Sequence, residues 1–233
     1  MSINVQVFNC SPNEANGYTE KILNPLLEGM KKAGATIDKY YTHRMNIEKC
    51  RACTEDVSFQ SPGECNIVDD MKYIYPKLRE SELWVFASPN YPNGINSSLI
   101  KLLDRLEPLF EPFANQTNGT KIPVKNKFKG KILLVSTCSQ FEFDSFNSLI
   151  EHIESFSLLF GREFAGSVLR PHSWTLNAGE LLSSSINKLN SSLNNAGTEL
   201  IETGRIKEET VKSVNKNLVS KKSFLASLSA EIV

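Results

Sequence analysis

LWVFASPNYPNGINSSLIKLLDRL, residues 83–106, decides the fold. Leu83 to Ser88 is apolar without polar alternation, the pattern of a strand covered on both faces. The loop SPNYPNGINS follows, starting from Ser88. Leu99, Leu102, Leu103 and Leu106 then recur at i, i+3, i+4 and i+7, which marks one face of a helix. A doubly covered strand feeding an amphipathic helix is half of a parallel βαβ unit.

The same unit recurs on both sides of this stretch. Upstream, Ile3, Val5 and Val7 predict a strand ending near Asn9. Ile22, Leu23, Leu26, Leu27 and Met30 predict a helix closed by Gly34, with Pro25 expected to kink it or shorten its hydrogen bonding. Thr36 to Tyr41 reads as a second strand. Asp69 is placed to cap a helix carrying Met71, Ile74 and Leu78. Downstream, Lys131 to Thr137 is a fourth strand. Asp144 is expected to cap a helix bearing Phe146, Leu149, Ile150, Ile153 and Phe160, stopped by Gly161, and Phe164 to Leu169 is a fifth strand. The alternation implies an α/β fold, a parallel sheet with helices on both faces. Residues 111–130, rich in Asn, Thr, Pro and Gly, read as a long excursion. The expected division is a domain over 1–174 and a helical C-terminal extension over 175–233. Two amphipathic helices are predicted there, on Leu182, Ile186, Leu189 and Leu193 and on Val211, Val214 and Leu218, parted near Gly204. Their aliphatic stripes suit core or dimer packing.

Composition narrows the function. The chain has 233 residues, 40% hydrophobic and 22% charged, enough apolar material to exclude wholesale disorder. Twenty-six basic and 26 acidic side chains give net charge 0, which argues against a strongly basic nucleic-acid binder. The longest apolar run, Leu83 to Ala87, is too short to cross a bilayer. MSINVQVFNC alternates apolar with polar and lacks the form of a signal peptide. Five cysteines, an odd number, point to a reducing compartment and a cytoplasmic location.

In sheets of this kind ligands sit at the carboxyl ends of the strands. Three loops qualify. The first carries Ser11, Asn13, Asn16, Gly17, Tyr18 and Thr19 directly before a helix, and backbone N–H groups and hydroxyls there form an anion site. It matches neither GxGxxG nor GxxxxGK[ST], so no dinucleotide or triphosphate fingerprint is present. The second, Ser88-Pro89-Asn90-Tyr91-Pro92-Asn93-Gly94-Ile95, sets an aromatic ring among amides, which suits a planar ligand ring. The third spans 137–146. The bland alternatives, a capped turn and a surface tyrosine, remain open at this level. Cys50-x2-Cys53 and Cys65 offer three thiolates for zinc or an iron–sulfur cluster, against a reduced structural trio. Cys10 and Cys138 suit buried packing. No Ser-His-Asp or HExxH spacing appears among His43, His152 and His172, and Asp69-Asp70 reads as a helix cap that needs no metal.

Four ordered segments resemble the flavodoxin-like family of NAD(P)H-dependent FMN reductases, in particular its iron–sulfur flavoproteins. Ser11-Pro12 through Asn16-Gly17-Tyr18-Thr19 is similar to the family's phosphate loop. Cys50-x2-Cys53, Gly63-x-Cys65 and Val68-Asp69-Asp70-Met71 are similar to its cysteine segment. Ser88-Pro89-Asn90-Tyr91 is similar to its flavin loop, and Leu103-Asp104-Arg105 to the end of the following helix. The resemblance covers about residues 1–170. It implies a five-stranded sheet in the order 2-1-3-4-5, with FMN phosphate on Ser11, Asn13, Asn16, Gly17 and Thr19. It places the flavin ring on Pro89, Asn90, Tyr91, Asn93, Gly94 and Ile95, with Thr137, Cys138 and Ser139 on the third side. Asn13 stands where the family has arginine, and Asn90 where it has valine. The cysteine set is one short of four, so an iron–sulfur cluster is not expected.

The resulting expectation is an FMN-dependent oxidoreductase taking electrons from NAD(P)H to a small acceptor such as a quinone. No side chain need donate a proton, so none is named as catalytic. A homodimer is expected, and neither nucleic acid nor membrane as partner. The rival readings are a flavin electron carrier with a cluster or dithiol at Cys50, Cys53 and Cys65, and a non-enzymatic flavodoxin-like binding module.

Overall fold

A computed structural model describes residues 2–53, 65–92, 94–109 and 129–230. Five parallel strands, β1 (Asn4–Asn9), β2 (Thr36–Tyr41), β3 (Leu83–Pro89), β4 (Lys131–Thr137) and β5 (Glu163–Arg170), form one sheet in the order β2-β1-β3-β4-β5. Val5 and Val7 of β1 pair with Leu83 and Val85 of β3, and Val85 and Ala87 pair with Leu133 and Val135 of β4. Because side chains alternate along a strand, this register stacks two apolar layers. Val5, Val7, Val85, Leu133 and Val135 face one core, while Phe8, Trp84, Phe86, Ile132 and Leu134 face the other.

Helices α1 (Tyr18–Lys32) and, far along the chain, α5 (Ser183–Thr203) cover the first face. Helices α2 (Met71–Glu80), α3 (Ser97–Asp104) and α4 (Asn147–Leu159) cover the second. Two short helices, α6 (Glu208–Val214) and α7 (Lys221–Ala230), follow. The fold class and strand order are those expected. Two local expectations are corrected. Asp144 does not cap α4: a 3-10 turn over Phe143–Phe146 intervenes, and the α-helix starts at Asn147. Leu182 and Leu218 lie outside the tail helices, and the tail holds a third helix, α7, whose apolar residues form no clear stripe in the sequence. Gly204 does end α5, in the left-handed conformation at φ +75°. The excursion of 111–130 falls mostly outside the described residues.

The stripe of α5 is consumed inside this chain. Leu189, Leu193, Ala196, Leu200 and Ile201 are buried in the first core beside Leu23, Leu26, Leu27 and Met30 of α1. The two helices approach to backbone contact through paired glycines. A Cβ on Gly29 would lie 1.8 Å from the Asn194 carbonyl oxygen, and one on Gly197 would lie 2.0 Å from that of Leu26. Thr198 Oγ1 donates to the Gly29 carbonyl at 3.1 Å, and Asn194 Nδ2 to the Pro25 carbonyl at 3.3 Å. Helix α1 runs through Pro25. The sheet and α5 thus grip α1 from two sides and fix where its N-terminus points.

Candidate active site

The carboxyl ends of β1, β3 and β4 gather the three expected loops at one edge. Asn96 Nδ2 donates to the Cys10 carbonyl at 2.9 Å, tying the second loop to the first, while Asn96 Oδ1 caps α3 by accepting from Leu99 N–H at 2.8 Å. Asn90 N–H donates to the Thr137 carbonyl at 2.8 Å, tying the second loop to the third. Thr19 and Thr137 share a buried hydroxyl–hydroxyl bond of 2.9 Å between α1 and the end of β4.

In the first loop, a 3-10 turn over Glu14–Asn16 leads to Gly17 at the head of α1. No side chain caps α1. The N–H groups of Tyr18, Thr19 and Glu20 have no acceptor among the described residues. Three such donors, at the positive end of a helix of four turns, form an anion site. Gly17 is close to the loop while its backbone angle is ordinary: a Cβ there would meet Ser11 Oγ at 2.8 Å and Asn13 Cβ at 3.2 Å, so a larger residue would displace the Ser11 hydroxyl. Ser11 and Thr19 are buried, and Asn13 and Asn16 are exposed at the rim.

The cation missing at Asn13 arrives from elsewhere. Arg44, just beyond β2, pairs with Glu14 and lies over the Tyr41 ring, 4.9 Å from its centroid. Glu20, in the first turn of α1, is buried and pairs with Lys39 of β2. Sequence spacing gave no sign of either partnership, since β2 lies beside β1 only in the folded sheet. The charges around the loop therefore cancel locally, which leaves the helix end as its anion-attracting element.

In the second loop, Tyr91 and Gly94 close a tight turn by exchanging backbone bonds of 3.2 and 2.9 Å, with Gly94 at φ +136°. Tyr91 is 45% exposed, Pro89 and Ile95 are half-buried, and Asn93 lies outside the described residues. Asn90 is buried. Its Nδ2 donates to the Ser145 carbonyl at 2.7 Å, and its Oδ1 has no partner among the described residues. An acceptor held in this way awaits a donor, as a ring N–H would supply.

On the third side, Thr137 and Cys138 are buried and Ser139 is exposed. Burial pushes the Cys138 thiol above its usual value and the Cys10 thiol to about 12, so both are neutral packing groups. An aromatic cluster fastens this loop to the tail. Phe141 stacks on His172 at 5.0 Å between centroids and meets Phe224 of α7 at 5.1 Å, and Trp174 meets Phe224 at 5.9 Å. Lys221 pairs with Glu142 beside it. Burial, then the Arg170 charge, lowers the His172 pKa to about 4, against a small opposing pull from the Phe141 backbone. Arg170 holds the carbonyls of Val214 and Lys216 at the end of α6.

The other three cysteines, Cys50, Cys53 and Cys65, fall between β2 and α2 in the chain. Cys50 is half-buried and lines a cavity of about 580 Å³ with Lys49, His43, Lys101 and Asp104; Cys53 is exposed. Cys65 lies 3.6 Å from Arg105 Nη2. Among the described residues no three His, Cys, Asp or Glu side chains converge as metal ligands, and position 56 lies outside them. The expected cap is corrected: Asp70, not Asp69, stands at the N-cap of α2, and its side chain makes no cap bond, while Asp69, one residue earlier, gathers the N–H groups around the helix start. Asp69 Oδ1 accepts from Met71 N–H at 3.0 Å, its Oδ2 from Glu48 N–H at 2.8 Å, and its carboxylate pairs with buried Arg105. Asp70 Oδ2 accepts from Asn46 N–H at 2.7 Å. The two aspartates thus clamp the segment leading into Cys50. Burial opposes ionisation of Asp69, but Arg105 and these N–H groups outweigh it and hold its pKa below the usual value.

Residues 3–175 match the NADPH-dependent FMN reductase family. An iron–sulfur flavoprotein of Archaeoglobus fulgidus is 25% identical over 118 residues, 51% of this chain and 48% of that protein. The chain spans about half the length of the curated relatives it matches. An NAD(P)H:quinone oxidoreductase of Methanothermobacter marburgensis superposes with a TM-score of 0.58 at 15% identity, covering 86% of this chain and 98% of that one. An FMN-dependent NADH-azoreductase of Bacillus anthracis, solved with FMN, gives 0.58 at 12% identity over 86% of this chain and 100% of that one. At these identities the superpositions establish the shared fold. Among the described residues no helix is long and apolar enough to cross a membrane.

Proposed function

Since the chain belongs to the NADPH-dependent FMN reductase family, we propose that it binds FMN at the carboxyl edge of its sheet. In this reading it passes electrons from NAD(P)H to a small acceptor such as a quinone. The observation that carries this is the pairing of two unmet demands at one edge. Among the described residues, the uncapped N-terminus of α1 offers three donors to a phosphate, and Asn90 Oδ1 is a buried acceptor without a donor. FMN carries a terminal phosphate at one end and a ring N–H at the other.

The N–H groups of Tyr18, Thr19 and Glu20, with the Ser11 and Thr19 hydroxyls and the rim amides of Asn13 and Asn16, would hold the phosphate. Gly17 keeps the cradle open to it. Ser88 to Ile95 and Thr137 to Ser139 would hold the ring, with Asn90 orienting its edge and the 91–94 turn against its face. When bound, the flavin supplies hydride acceptance and onward electron delivery. The chain's own part is to fix the ring, supply backbone donors at its polar edge and keep water from it. No side chain is assigned proton transfer.

Self-association belongs to this proposal. With the α5 stripe already used, exposed apolar side chains such as Leu158 and Leu159 of α4 and Leu181 before α5 are what the described surface offers a partner chain. A dimer by light scattering at micromolar concentration is the expected result, and a monomer with FMN bound would remove this part. The test of the main proposal is the mass of the cofactor released on denaturation: FMN at about one per chain supports it, and FAD, NAD or no cofactor after incubation with FMN refutes it.

A further inference from the structure

We propose that Glu20 is a positioning residue that makes the site select a phosphate-bearing flavin, acting through Asn9 on Ser11. The inference rests on the flavin reading above. Glu20 is 2% exposed, and no part of its side chain need touch a ligand for it to act. It accepts from Asn9 Nδ2 at 2.7 Å and from the Tyr41 hydroxyl at 3.0 Å, and it pairs with Lys39. Asn9, fully buried, accepts from Ser11 N–H through Oδ1 at 2.9 Å.

The chemistry of these groups fixes the orientation. An ionised carboxylate only accepts, so it takes the amide NH2 of Asn9 and leaves Oδ1 to Ser11 N–H. Turning the amide over would set oxygen against carboxylate and NH2 against N–H, losing two buried bonds. Ser11 is thereby held with its Oγ against Gly17, where it also accepts from Asn13 N–H at 3.3 Å. The same Glu20 contributes one of the free N–H groups at the head of α1. One residue therefore sets both walls of the cradle, the loop through its side chain and the helix through its backbone. Lys39 pairs with a carboxylate that would otherwise repel an anion bound at the head of α1. Burial lowers the Lys39 pKa, but its bonds to Glu20 and Tyr41 more than offset this and raise it.

This chain of bonds ends at the phosphate end of the site and not at the ring. FMN and riboflavin, which differ only by the phosphate, separate positioning from general damage. The test measures the Kd of each by quenching of flavin fluorescence in the full chain and in N9D, E20L and the double variant N9D/E20Q. In N9D two carboxylates oppose each other. In the double variant the amide and the carboxylate have exchanged places: the amide now at position 20 donates to the carboxylate now at position 9, which still accepts from Ser11 N–H. The expected result is FMN affinity weakened at least tenfold in N9D and E20L, riboflavin affinity changed less than threefold, and FMN affinity in N9D/E20Q back within threefold of wild type.

FMN affinity within threefold of wild type in N9D and E20L would overturn the proposal. So would equal losses for FMN and riboflavin, or a double variant no better than N9D, since these mark a merely structural role. If E20L does not fold, the N9D and N9D/E20Q pair decides alone. Wild-type protein that binds neither flavin overturns the flavin reading itself, and this inference with it. Wild-type protein that binds FMN, with any of the failures above, overturns the role of Glu20 alone.

Discussion

Gly29→Ala tests whether the C-terminal helix holds the phosphate end of the site in place. In an ordinary helix the change stabilises by about 1 kcal/mol, because alanine loses less backbone freedom. Here the new methyl would sit 1.8 Å from the Asn194 carbonyl oxygen, 2.7 Å from its carbon and 3.0 Å from Cα, all backbone atoms that no rotamer change can clear. Ordinary contact would require α1 and α5 to part by about 1.5 Å. The contacts of Leu26, Leu27 and Met30 with Leu193, Ala196 and Leu200 lie along the same seam. A gap of that size forfeits much of their dispersion energy, and overpacking costs about 1–3 kcal/mol or more. The net expectation is a loss of about 2 kcal/mol, read as a lower urea midpoint at unchanged slope. Gly197→Ala, with its methyl 2.0 Å from the Leu26 carbonyl oxygen, is expected to cost a similar amount. The double variant is expected to cost less than the sum, since one separation relieves both clashes. Because the head of α1 forms the cradle, FMN affinity falls with stability in both single variants. A Gly29→Ala protein about 1 kcal/mol more stable than wild type would refute the backbone contact and the grip derived from it.

Other outcomes follow from the same geometry. Ser11→Ala combined with Thr19→Ala is expected to weaken FMN binding at least tenfold, while Ser173→Ala changes it less than threefold; equal effects in equilibrium titration would misplace the phosphate. Arg105→Met strands a buried carboxylate and is expected to cost about 3–5 kcal/mol by urea unfolding, whereas a cost under about 1 kcal/mol would mean the Asp69 pair is solvated. His172 has its pKa lowered from 6.5 to about 4, so its contribution to stability is whole above pH 6.5 and is lost as pH falls toward 4. His172→Asn is expected to flatten the dependence of the urea midpoint on pH in that window, and an unchanged slope would show that the ring already titrates normally in the folded chain. Asp69, with its folded pKa below the usual 3.8, adds a further loss only below that pH. Anaerobically purified protein is expected to carry fewer than four iron atoms per chain, because three thiolates leave a four-iron cluster one ligand short. Four iron with four sulfide would overturn that.

What was legible in the sequence is what period and order encode. The apolar run at 83–87 and the leucines from 99 to 106 placed β3 and α3, and the repeated alternation gave the parallel sheet. The three loops were legible because such sheets bind ligands where strands end. The parts that were not legible depend on contacts across long sequence separations. Nothing near Glu20 announces Lys39 or Tyr41, and nothing near Asp69 announces Arg105. The α5 stripe was visible, but its partner was not, since core and dimer packing share one pattern. Gly29 and Gly197, lone glycines inside helical periodicity, were the available sign that two helices meet there. Asp144 misled because a good capping residue also suits a 3-10 turn, and Phe146, buried in its own small cluster, delays the α-helix by one turn.

Direct reduction of bound FMN by NAD(P)H is what the proposed site performs. It is tested by mixing the FMN-loaded protein with NADH or NADPH in an anaerobic stopped-flow instrument and following the flavin absorbance. Bleaching within seconds by at least one nucleotide, without any added protein, is the predicted result. A flavin that dithionite bleaches and neither nucleotide does would contradict the account, and would make the chain a carrier fed by a protein donor.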